Sequence, residues 1–556
     1  MKCHLACRVA LVCWIMVWIA NLLTAQQPAT GLPPLGSFAG GPFDTVNLAN
    51  LDVHFSIPIF ARAGKGIPFS YSLSYDSLNW EPVTSGSTTS WEPVASGVTS
   101  PGHPIYNWGW RAVTEAATGY VTAGNPTVST CYYGSLHIPG SITNRWTDFV
   151  YHDPLGGVHP YPSSYYVVST VNLGGSGNTC PSNSYTNFTN AVAPDNSGYI
   201  LSVNVSSDLP VATLNARGGL IIQVPPVQSS TGTGSITDAN ANQISISSTG
   251  VITDTLGTTA LTVSGNAPTN PPSCSPAVTY TYTAPSGAAA NVTVNYAYYV
   301  VQTNFGVSGT AEFGPTSECL VNSIQLPDGS SYSFQYETTV GNGISGKTTG
   351  RLASVTLPTG GTICYSYGGT GCTTATSNSM MADGSPSAMT DKNESGPQIW
   401  TYARAVQPSQ QLPQTVTTIT DSAGNVTTRN FSGVYQTAST VNQGPSTALD
   451  YSYICYNGTS PPACPTATVA APLTQVMAYD FPNKTSLYST IQHNYDTYGN
   501  VTAEYDYNYG TQQTVGSTTT SYDSALCGGS LHFCNRPDSI TVTLRGDPNS
   551  PNVSQL

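Results

Sequence analysis

Hydrophobic and polar residues alternate along most of the chain, and short turn sequences interrupt the alternation. From Leu51 to Ile59 every second residue is apolar, a glycine-rich stretch follows at 63–66, and the alternation resumes over 69–76. A period of two is typical of a strand with one face in the core, because side chains point alternately to the two faces of a sheet. We therefore predict a hairpin with a glycine-rich tip.

A second hairpin signal occurs twice. Leu326-Pro327-Asp328-Gly329 and Leu357-Pro358-Thr359-Gly360 have the same Leu-Pro-x-Gly pattern, and the first copy leads into alternating aromatic and polar residues at 332–336. Proline presets φ before a bend, and glycine readily adopts the positive φ that tight turns require. Each copy therefore predicts a strand, a turn and a second strand.

A third repeat is built on aspartate. Its best copy is Tyr495-Asp496-Thr497-Tyr498-Gly499-Asn500, and a relative runs Asp421-Ser422-Ala423-Gly424-Asn425; Val-Thr follows both. We expect Asp421 and Asp496 to cap these turns by accepting hydrogen bonds from the following amides. Calcium binding is the weaker alternative, because a regular Asp-x-Asp ladder is absent from the sequence. Such small units bury their apolar faces only against neighbours, which predicts one extended sheet.

Composition supports an all-β fold. Charged residues make up only 8% of the 556 residues, far below the quarter usual in globular proteins. The chain instead has 53 glycines, 41 prolines and 34 tyrosines, as expected of many strands joined by turns, and its 39% apolar content excludes a solvated coil. A net charge of −13 with scattered Lys and Arg argues against a nucleic-acid partner.

The first 25 residues have the features of an export signal. Lys2 and Arg8 provide a basic start, an apolar stretch runs from Val9 to Leu23, and Ala25 is a plausible cleavage point. A retained N-terminal anchor is the alternative, because Leu23 is a poorer residue than alanine at its position before the cut. No later segment of the sequence is apolar enough to cross a membrane. We expect a secreted or cell-surface protein.

Cysteine usage agrees with export. Three of the 13 cysteines lie in the signal, which leaves ten, an even number typical of an oxidising compartment. Spacing suggests five disulfide pairs, namely Cys364 with Cys372, Cys455 with Cys464, Cys527 with Cys534 and, less directly, Cys131 with Cys180 and Cys274 with Cys319. Connectivity itself cannot be read from sequence. A metal site is the alternative, but CxxC pairs with neighbouring histidines are lacking.

The repeats resemble those of the Rhs/YD-repeat family, which is named for Tyr-Asp repeats of the kind at Tyr495-Asp496. The resemblance also includes the Leu-Pro-x-Gly hairpins and the opening segment from Ile57 to Ser77. It implies a long β-sheet wound spirally into a hollow shell, as in bacterial Rhs proteins, insecticidal toxin-complex cocoons and the teneurin ectodomain. In those proteins the shell encloses or presents another polypeptide, often a toxin.

The chain departs from the family pattern at one segment. Family shells place an Asp-Pro-x-Gly-Leu segment after the repeats, before a toxin released by self-cleavage, whereas the similar Asp153-Pro154-Leu155-Gly156-Gly157 lies near the front. We interpret it as a turn between strands. The resemblance therefore implies an incomplete shell, an N-terminal portion or truncated relative that lacks core and toxin.

The patterns divide the chain into five parts. These are a signal at 1–25, a loose leader at 26–50, an N-terminal Rhs-like β module at 51–165, a β-rich intermediate region with insertions at 166–315, and the Rhs/YD-repeat region at 316–556. We expect an exported, non-enzymatic shell or scaffold of a toxin-delivery or cell-surface system, with neither cofactor nor metal. Its expected partner is a toxin or a C-terminal shell polypeptide.

Two alternatives belong to other functional classes. Rows of tyrosine and tryptophan on an outer face would favour a module that binds surface glycans or another cell, whereas aromatics buried between strands favour a scaffold. A glycoside hydrolase needs two carboxylates at reacting separation, and the candidates beside aromatic residues are Glu81, Glu92, Asp148 and Asp153.

Overall fold

The structure, a computed structural model, describes residues 30–98, 104–135, 137–206, 209–269, 271–341, 343–368, 376–393, 399–482, 487–510, 513–529, 532–544 and 553–555. The predicted signal, its cleavage point after Ala25 and Cys372 lie outside these residues. Regular structure is almost entirely β, and the all-β prediction is confirmed. The described helical segments are short: α1 (Glu115–Thr118), α2 (Ser524–Gly528) and a 3₁₀ turn at Cys464–Thr466. Within these ranges, no helix has the length and apolar character needed to cross a bilayer.

The front of the chain, residues 30–187, folds into small antiparallel sheets that we call the N-terminal module. Its strands are β1 (Phe38–Ala39), β2 (Asp44–Asn47), β3 (Asp52–Arg62), β4 (Phe69–Asp76), β5 (Trp80–Ser85), β6 (Thr88–Pro93), β7 (Ala95–Val98), β8 (Pro104–Tyr106), β9 (Tyr120–Thr122), β10 (Thr127–Tyr133), β11 (Ile138–Trp146), β12 (Val150–His152), β13 (Val158–Pro160), β14 (Val167–Asn172) and β15 (Ser184–Thr186). β1 to β4 pair in chain order, and β3 with β4 is the predicted glycine-tipped hairpin.

The rest of the chain forms one sheet of 26 strands in which consecutive strands pair antiparallel. Its strands are β16 (Phe188–Val192), β17 (Ile200–Asn204), β18 (Val211–Asn215), β19 (Ile221–Gln223), β20 (Gly234–Thr237), β21 (Gln243–Ile246), β22 (Val251–Thr253), β23 (Thr259–Ser264), β24 (Val278–Thr283), β25 (Ala289–Val301), β27 (Thr316–Gln325), β28 (Ser331–Thr338), β29 (Thr348–Thr356), β30 (Thr362–Ser366), β31 (Ala388–Asn393), β32 (Ile399–Val406), β33 (Gln414–Thr420), β34 (Val426–Ser432), β35 (Tyr435–Gln443), β36 (Thr447–Tyr456), β37 (Gln475–Pro482), β38 (Ser489–Tyr495), β39 (Val501–Tyr507), β40 (Thr514–Tyr522), β41 (Pro537–Leu544) and β42 (Val553–Gln555). The short β26 (Thr310–Ala311) instead extends the β5–β6 hairpin.

The two Leu-Pro-x-Gly segments form the predicted hairpin turns. In the first, the amide of Leu326 donates to the carbonyl of Ser330 at 2.8 Å, and Leu357 makes the equivalent bond to Gly361 at 2.8 Å. The turns join β27 to β28 and β29 to β30, which pair antiparallel. Phe334 and Tyr336 of β28 point into the core, as their alternation with polar residues predicted.

The N-terminal module covers one face of the large sheet, which we call the inner face. Residues of β3 and β4 share a single buried apolar cluster with residues of strands β21 to β34. The ring of Phe55 stacks against Phe334 with centroids 6.4 Å apart, and Tyr71 lies against Tyr280 with centroids 5.7 Å apart. The core of the protein is therefore the layer between the module and the inner face.

Two expectations about organisation differ from the structure. The stretch 26–50, expected to be loose, is anchored from Thr30 onward, because the Gly31 amide donates to Asp52 and Asp76 at 2.9 and 3.0 Å. The large sheet also begins at Phe188 and runs across the predicted boundary between 315 and 316. That continuity was missed because a Pro/Ser-rich stretch at 267–277 interrupts the alternation in sequence, whereas β23 and β24 on either side of it pair in the sheet.

Candidate functional site

Loops between early strands of the large sheet contact loops between its late strands, and we call this contact the seam. The loops that meet there are 193–199 and 216–220 from the early strands, and 457–474, 496–500 and 523–536 from the late ones. Asn196 Nδ2 donates to the Leu473 carbonyl at 2.8 Å, and the Leu473 amide donates to Asn196 Oδ1 at 3.0 Å. These residues are 277 positions apart, and the strands from β17 to β36 lie between the two contacting loops along the chain.

Arg217 makes a second set of bonds across the seam. Its Nη1 donates to the Gly499 carbonyl at 3.0 Å, and its own carbonyl accepts from the Cys534 amide at 2.8 Å. Gly218 and Phe533 form an isolated antiparallel bridge beside it. Hydrogen bonds from both the backbone and a side chain therefore cross the seam.

The Tyr-Asp repeat lies in this seam. Asp496 Oδ1 accepts from the amides of Tyr498 and Asn500, both at 2.9 Å, which is the predicted cap. Gly499 has φ +75°, and a Cβ there would stand 2.0 Å from the Asn196 carbonyl oxygen. Asn500 Nδ2 donates to Asp496 Oδ2 at 2.9 Å and to the Cys534 carbonyl at 2.7 Å. Gly499 therefore packs directly against the early loop, and Asn500 joins this turn to the neighbouring late loop.

The second copy makes the same local bonds in a different place. Asp421 Oδ1 accepts from the amides of Ala423 and Asn425 at 2.9 and 2.8 Å, and Asn425 Nδ2 donates to Asp421 Oδ2 at 2.9 Å. Gly424 has φ +81°, but a Cβ there would meet no atom of the described residues within 4 Å. This turn borders a cavity of about 450 Å³ instead of a neighbouring edge.

Hydrogen bonds tie the N-terminal module to the inner face at points far apart in sequence. Trp80 Nε1 donates to the Thr349 carbonyl at 2.8 Å, Arg404 Nε donates to the Ala49 carbonyl at 2.6 Å, and Tyr365 donates its hydroxyl to Asp44 Oδ2 at 2.6 Å. All three side chains are buried, and a buried polar group without a hydrogen-bond partner would destabilise the folded protein. They fix the orientation of the module inside the sheet.

A cluster of buried charges lies within the module. Asp76 pairs with Arg111 and accepts from His54 Nδ1 at 2.9 Å. Burial opposes ionisation of Asp76, but Arg111 and His54 together hold its pKa at about 2. Asp52 beside it accepts from the amides of Gly31, Ser77 and Leu78. Each of these carboxylates accepts hydrogen bonds from backbone amides or pairs with a buried cation. We therefore interpret the cluster as a structural network.

His159 is held between two carboxylates at the seam side of the module. Its Nδ1 lies 2.5 Å from Asp195 and its Nε2 lies 3.2 Å from Asp153. Burial opposes protonation, but the hydrogen bonds to Asp153 and Asp195 raise the pKa of His159 to about 9. Asp153 also caps the turn at 153–157, joining β12 to β13, as interpreted from the sequence. The Asp-Pro segment is therefore part of a structural ion network.

The four carboxylates considered for hydrolysis do not converge. Glu81 and Glu92 face each other across the β5–β6 hairpin. Burial, and then the charge of Glu92, raise the pKa of Glu81 to about 7. Asp148 is exposed beyond β11 and accepts from Thr147 Oγ1 at 2.7 Å, while Asp153 belongs to the histidine network. Among the described residues, no three His, Cys, Asp or Glu side chains come together as metal ligands would.

Disulfides occur both in the N-terminal module and in the large sheet. The bonded pairs are Cys131–Cys180, Cys274–Cys319, Cys455–Cys464 and Cys527–Cys534, each of which spacing had suggested. Cys364 is also disulfide-bonded, and its suggested partner lies outside the described residues. The Cys527–Cys534 pair packs with Ile200 of β17, so one disulfide stabilises the seam itself.

Asn196 and Arg217 were not among the functional residues predicted from the sequence. One signal was present: Asp195-Asn196-Ser197-Gly198 has the same Asp-x-x-Gly spacing as the two recognised repeats, and Asp195 caps its turn by accepting from the Ser197 amide at 3.0 Å. Arg217 carried no local signal, because its partners are 282 residues away. The Asp-x-x-Gly spacing alone is therefore enough to identify the turn that contains Asn196.

The chain matches no model of a known protein family and no curated protein sequence. The resemblance to the Rhs/YD-repeat family therefore depends on the repeats, and it remains a proposal.

Proposed function

We propose that this chain is a non-enzymatic shell or scaffold of the Rhs/YD-repeat type that works at or beyond the cell surface. The observation that supports it most is the seam, where Asn196 and Arg217 bond to loops 277 and 282 residues further along. A sheet that returns to its beginning surrounds whatever lies on its inner face. The N-terminal module occupies part of that space and is fixed there by buried hydrogen bonds.

The placement of aromatic side chains also supports a scaffold. Trp80 and Trp91 of the module are fully buried, and Trp80 packs edge-on against Phe313 of the segment before β27. On the outer face, Tyr451, Tyr453 and Phe481 pack against one another, and the Tyr451 hydroxyl donates to Tyr453 at 2.7 Å. Phe481 is buried and both tyrosines are half-buried, so these rings form a packed cluster instead of an exposed row, as expected of side chains that stabilise a sheet.

The expected partner is a toxin or a C-terminal shell polypeptide. The test is to co-produce the full chain with the polypeptide encoded beside it, purify the complex and treat it with protease. We expect the partner to co-purify and to resist digestion. The double variant Asn196→Ala, Arg217→Ala should lose that protection, because it removes both side chains that bond across the seam.

Thr281→Ala is a matched control for this experiment. Thr281 Oγ1 donates to Asn291 at 2.8 Å on an exposed part of the sheet, away from the seam, so protection should be unchanged. A partner that fails to associate, or that is digested equally fast in the wild-type complex and alone, would overturn the proposed enclosure.

A glycoside hydrolase is the second candidate, favoured by the Glu81 and Glu92 pair. A carboxyl group with a pKa of about 7 beside a second carboxylate can supply a proton near neutral pH. Two further ionisable side chains lie near this pair. Burial raises the pKa of Glu318, and burial together with the neighbouring glutamates raises the pKa of Tyr106. Release of reducing sugar from a polysaccharide panel, abolished by Glu81→Gln, would favour this candidate over the scaffold. We expect no such turnover.

A further inference from the structure

The inner face of the large sheet includes one cavity that the N-terminal module does not fill. Tyr402 of β32 lies directly opposite Ile419 of β33, and Ile419 lies opposite Thr427 of β34. Residues directly opposite each other point to the same face. Tyr402 and Ile419 belong to the core shared with the module, so the row that they define is the inner face.

Trp400 marks where the module stops covering this face. Along β32, Arg404 and Tyr402 are buried, at 7% and 3% exposure, and Arg404 bonds to Ala49 of the module. Trp400 lies two residues before Tyr402, on the same face, yet it is 41% exposed. An indole on a buried face is normally covered, because it presents a large apolar area. This one instead forms a wall of the cavity of about 450 Å³.

The cavity combines an apolar floor with carboxamide groups. Trp400, Ile419, Val441 and Leu449 provide the apolar surface, and Leu449 is 45% exposed. Asn442 and Gln443 line the rim, and among the described residues neither side-chain amide has a recorded hydrogen-bond partner. Each amide can donate and accept at once. The cavity volume of about 450 Å³ falls within the roughly 300–1,000 Å³ typical of small-molecule sites.

The charges of the lining restrict the ligand further. The carboxylate that borders the cavity, Asp421, already accepts two backbone amides and the Asn425 side chain. None of the described residues that line the cavity is basic, which favours a ligand without negative charge. A sugar hydroxyl group can donate and accept hydrogen bonds, and so can a side-chain amide. The C–H face of a sugar ring can also stack on the indole of Trp400.

We propose that this cavity is a binding site for a neutral saccharide, with Trp400 as the stacking surface and Asn442 and Gln443 as hydrogen-bonding groups. The site is distinct from Glu81 and Glu92, which lie on the β5–β6 hairpin of the module. It also does not depend on enclosure of a polypeptide, since the cavity is built from β32 to β36 and their turns. A scaffold with this site would bind glycans without cleaving them.

Calorimetric titration of the full chain with cellobiose, chitobiose and lactose tests the proposal, and heparin disaccharide serves as the anionic comparison. We expect at least one neutral disaccharide to bind and the anionic probe not to bind. Trp400→Ala should weaken binding about tenfold, as loss of one stacking contact implies. Asn442→Ala with Gln443→Ala should weaken it by a similar factor.

Tyr298→Ala is the matched control, because Tyr298 is a comparably exposed aromatic residue, at 45%, on β25 and outside the cavity lining. It should leave the affinity unchanged, and circular dichroism would show that each variant keeps its β content. Failure of all three neutral disaccharides to bind would overturn the proposal. Equal affinity of the wild type and the Trp400→Ala protein would overturn it as well.

Discussion

The turns at 421–425 and 496–500 have almost the same sequence and the same internal hydrogen bonds, but they serve different purposes. Both aspartates cap the amides two and four residues ahead, and both asparagines return a side-chain bond to the aspartate. The first turn borders an open cavity. The second is pressed against Asn196 in the seam. A repeat can therefore keep one local structure while its surroundings decide its function.

The largest expected difference between the two turns concerns their glycines. An alanine at either Gly424 or Gly499 has to adopt a positive φ, which costs about 1 kcal/mol. Gly499→Ala also places a Cβ against the Asn196 carbonyl, so we expect a total loss of about 2–4 kcal/mol in the free energy of unfolding. Denaturant unfolding of the two variants measures this directly. Equal losses would mean that the seam is not closed in solution.

The next effect is the pH dependence that His159 contributes at the seam side of the module. The pKa of His159 is raised to about 9, so its stabilising contribution is complete below pH 6.5 and is lost as pH rises through 9. The contribution should amount to at most about 3 kcal/mol. Tyr151 and Tyr199, whose rings lie against His159, have pKa values raised above their usual range by burial and should stay protonated there.

Denaturant unfolding at pH 6 and pH 9.5 measures this loss. His159→Gln should reduce the difference between the two pH values by at most about 3 kcal/mol, the share that His159 contributes. The Gly424→Ala protein, changed only at the distant turn, should keep the wild-type difference. A wild-type protein equally stable at both values would show that the ion network contributes nothing to the module.

A smaller effect distinguishes the two asparagines. Asn500→Ala leaves the buried Cys534 carbonyl and Asp496 without their side-chain donor, for an expected loss of about 1–3 kcal/mol. Asn425→Ala removes bonds at a more open turn, to Asp421 and from the Gly444 amide, and should lose less than about 1 kcal/mol. Thermal unfolding of both variants gives the comparison. The reverse order would contradict the placement of Asn500 in the seam.

The smallest effect is on ionisation at the open turn. The hydrogen bond from the Asn425 side chain, together with those from backbone amides, lowers the pKa of Asp421. Carboxyl ¹³C NMR should therefore show Asp421 titrating below a free aspartate, and Asn425→Ala should move it back toward the ordinary value. An unchanged titration in the variant would show that the side-chain bond is absent in solution.

Local signals predicted a large part of this structure. The hairpin over 51–76, the two Leu-Pro-x-Gly turns and the aspartate caps depend on residues within a few positions of each other, and all are present. The buried charge cluster was missed for a physical reason. Asp52 and His54 alternate with Val53 and Phe55, so the pattern assigns them to solvent, yet the module buries both faces of β3 there.

The sequence by itself determined that the chain is all-β and where it turns, because an aspartate, a glycine at positive φ and a period of two act over distances of a few residues. Only the tertiary structure decided which turn closes the seam and which borders a cavity. Asn196 and Leu473 are 277 residues apart, and alternation defines which side chains share a face without defining what covers that face. The difference between the two turns therefore arises from their distant neighbours.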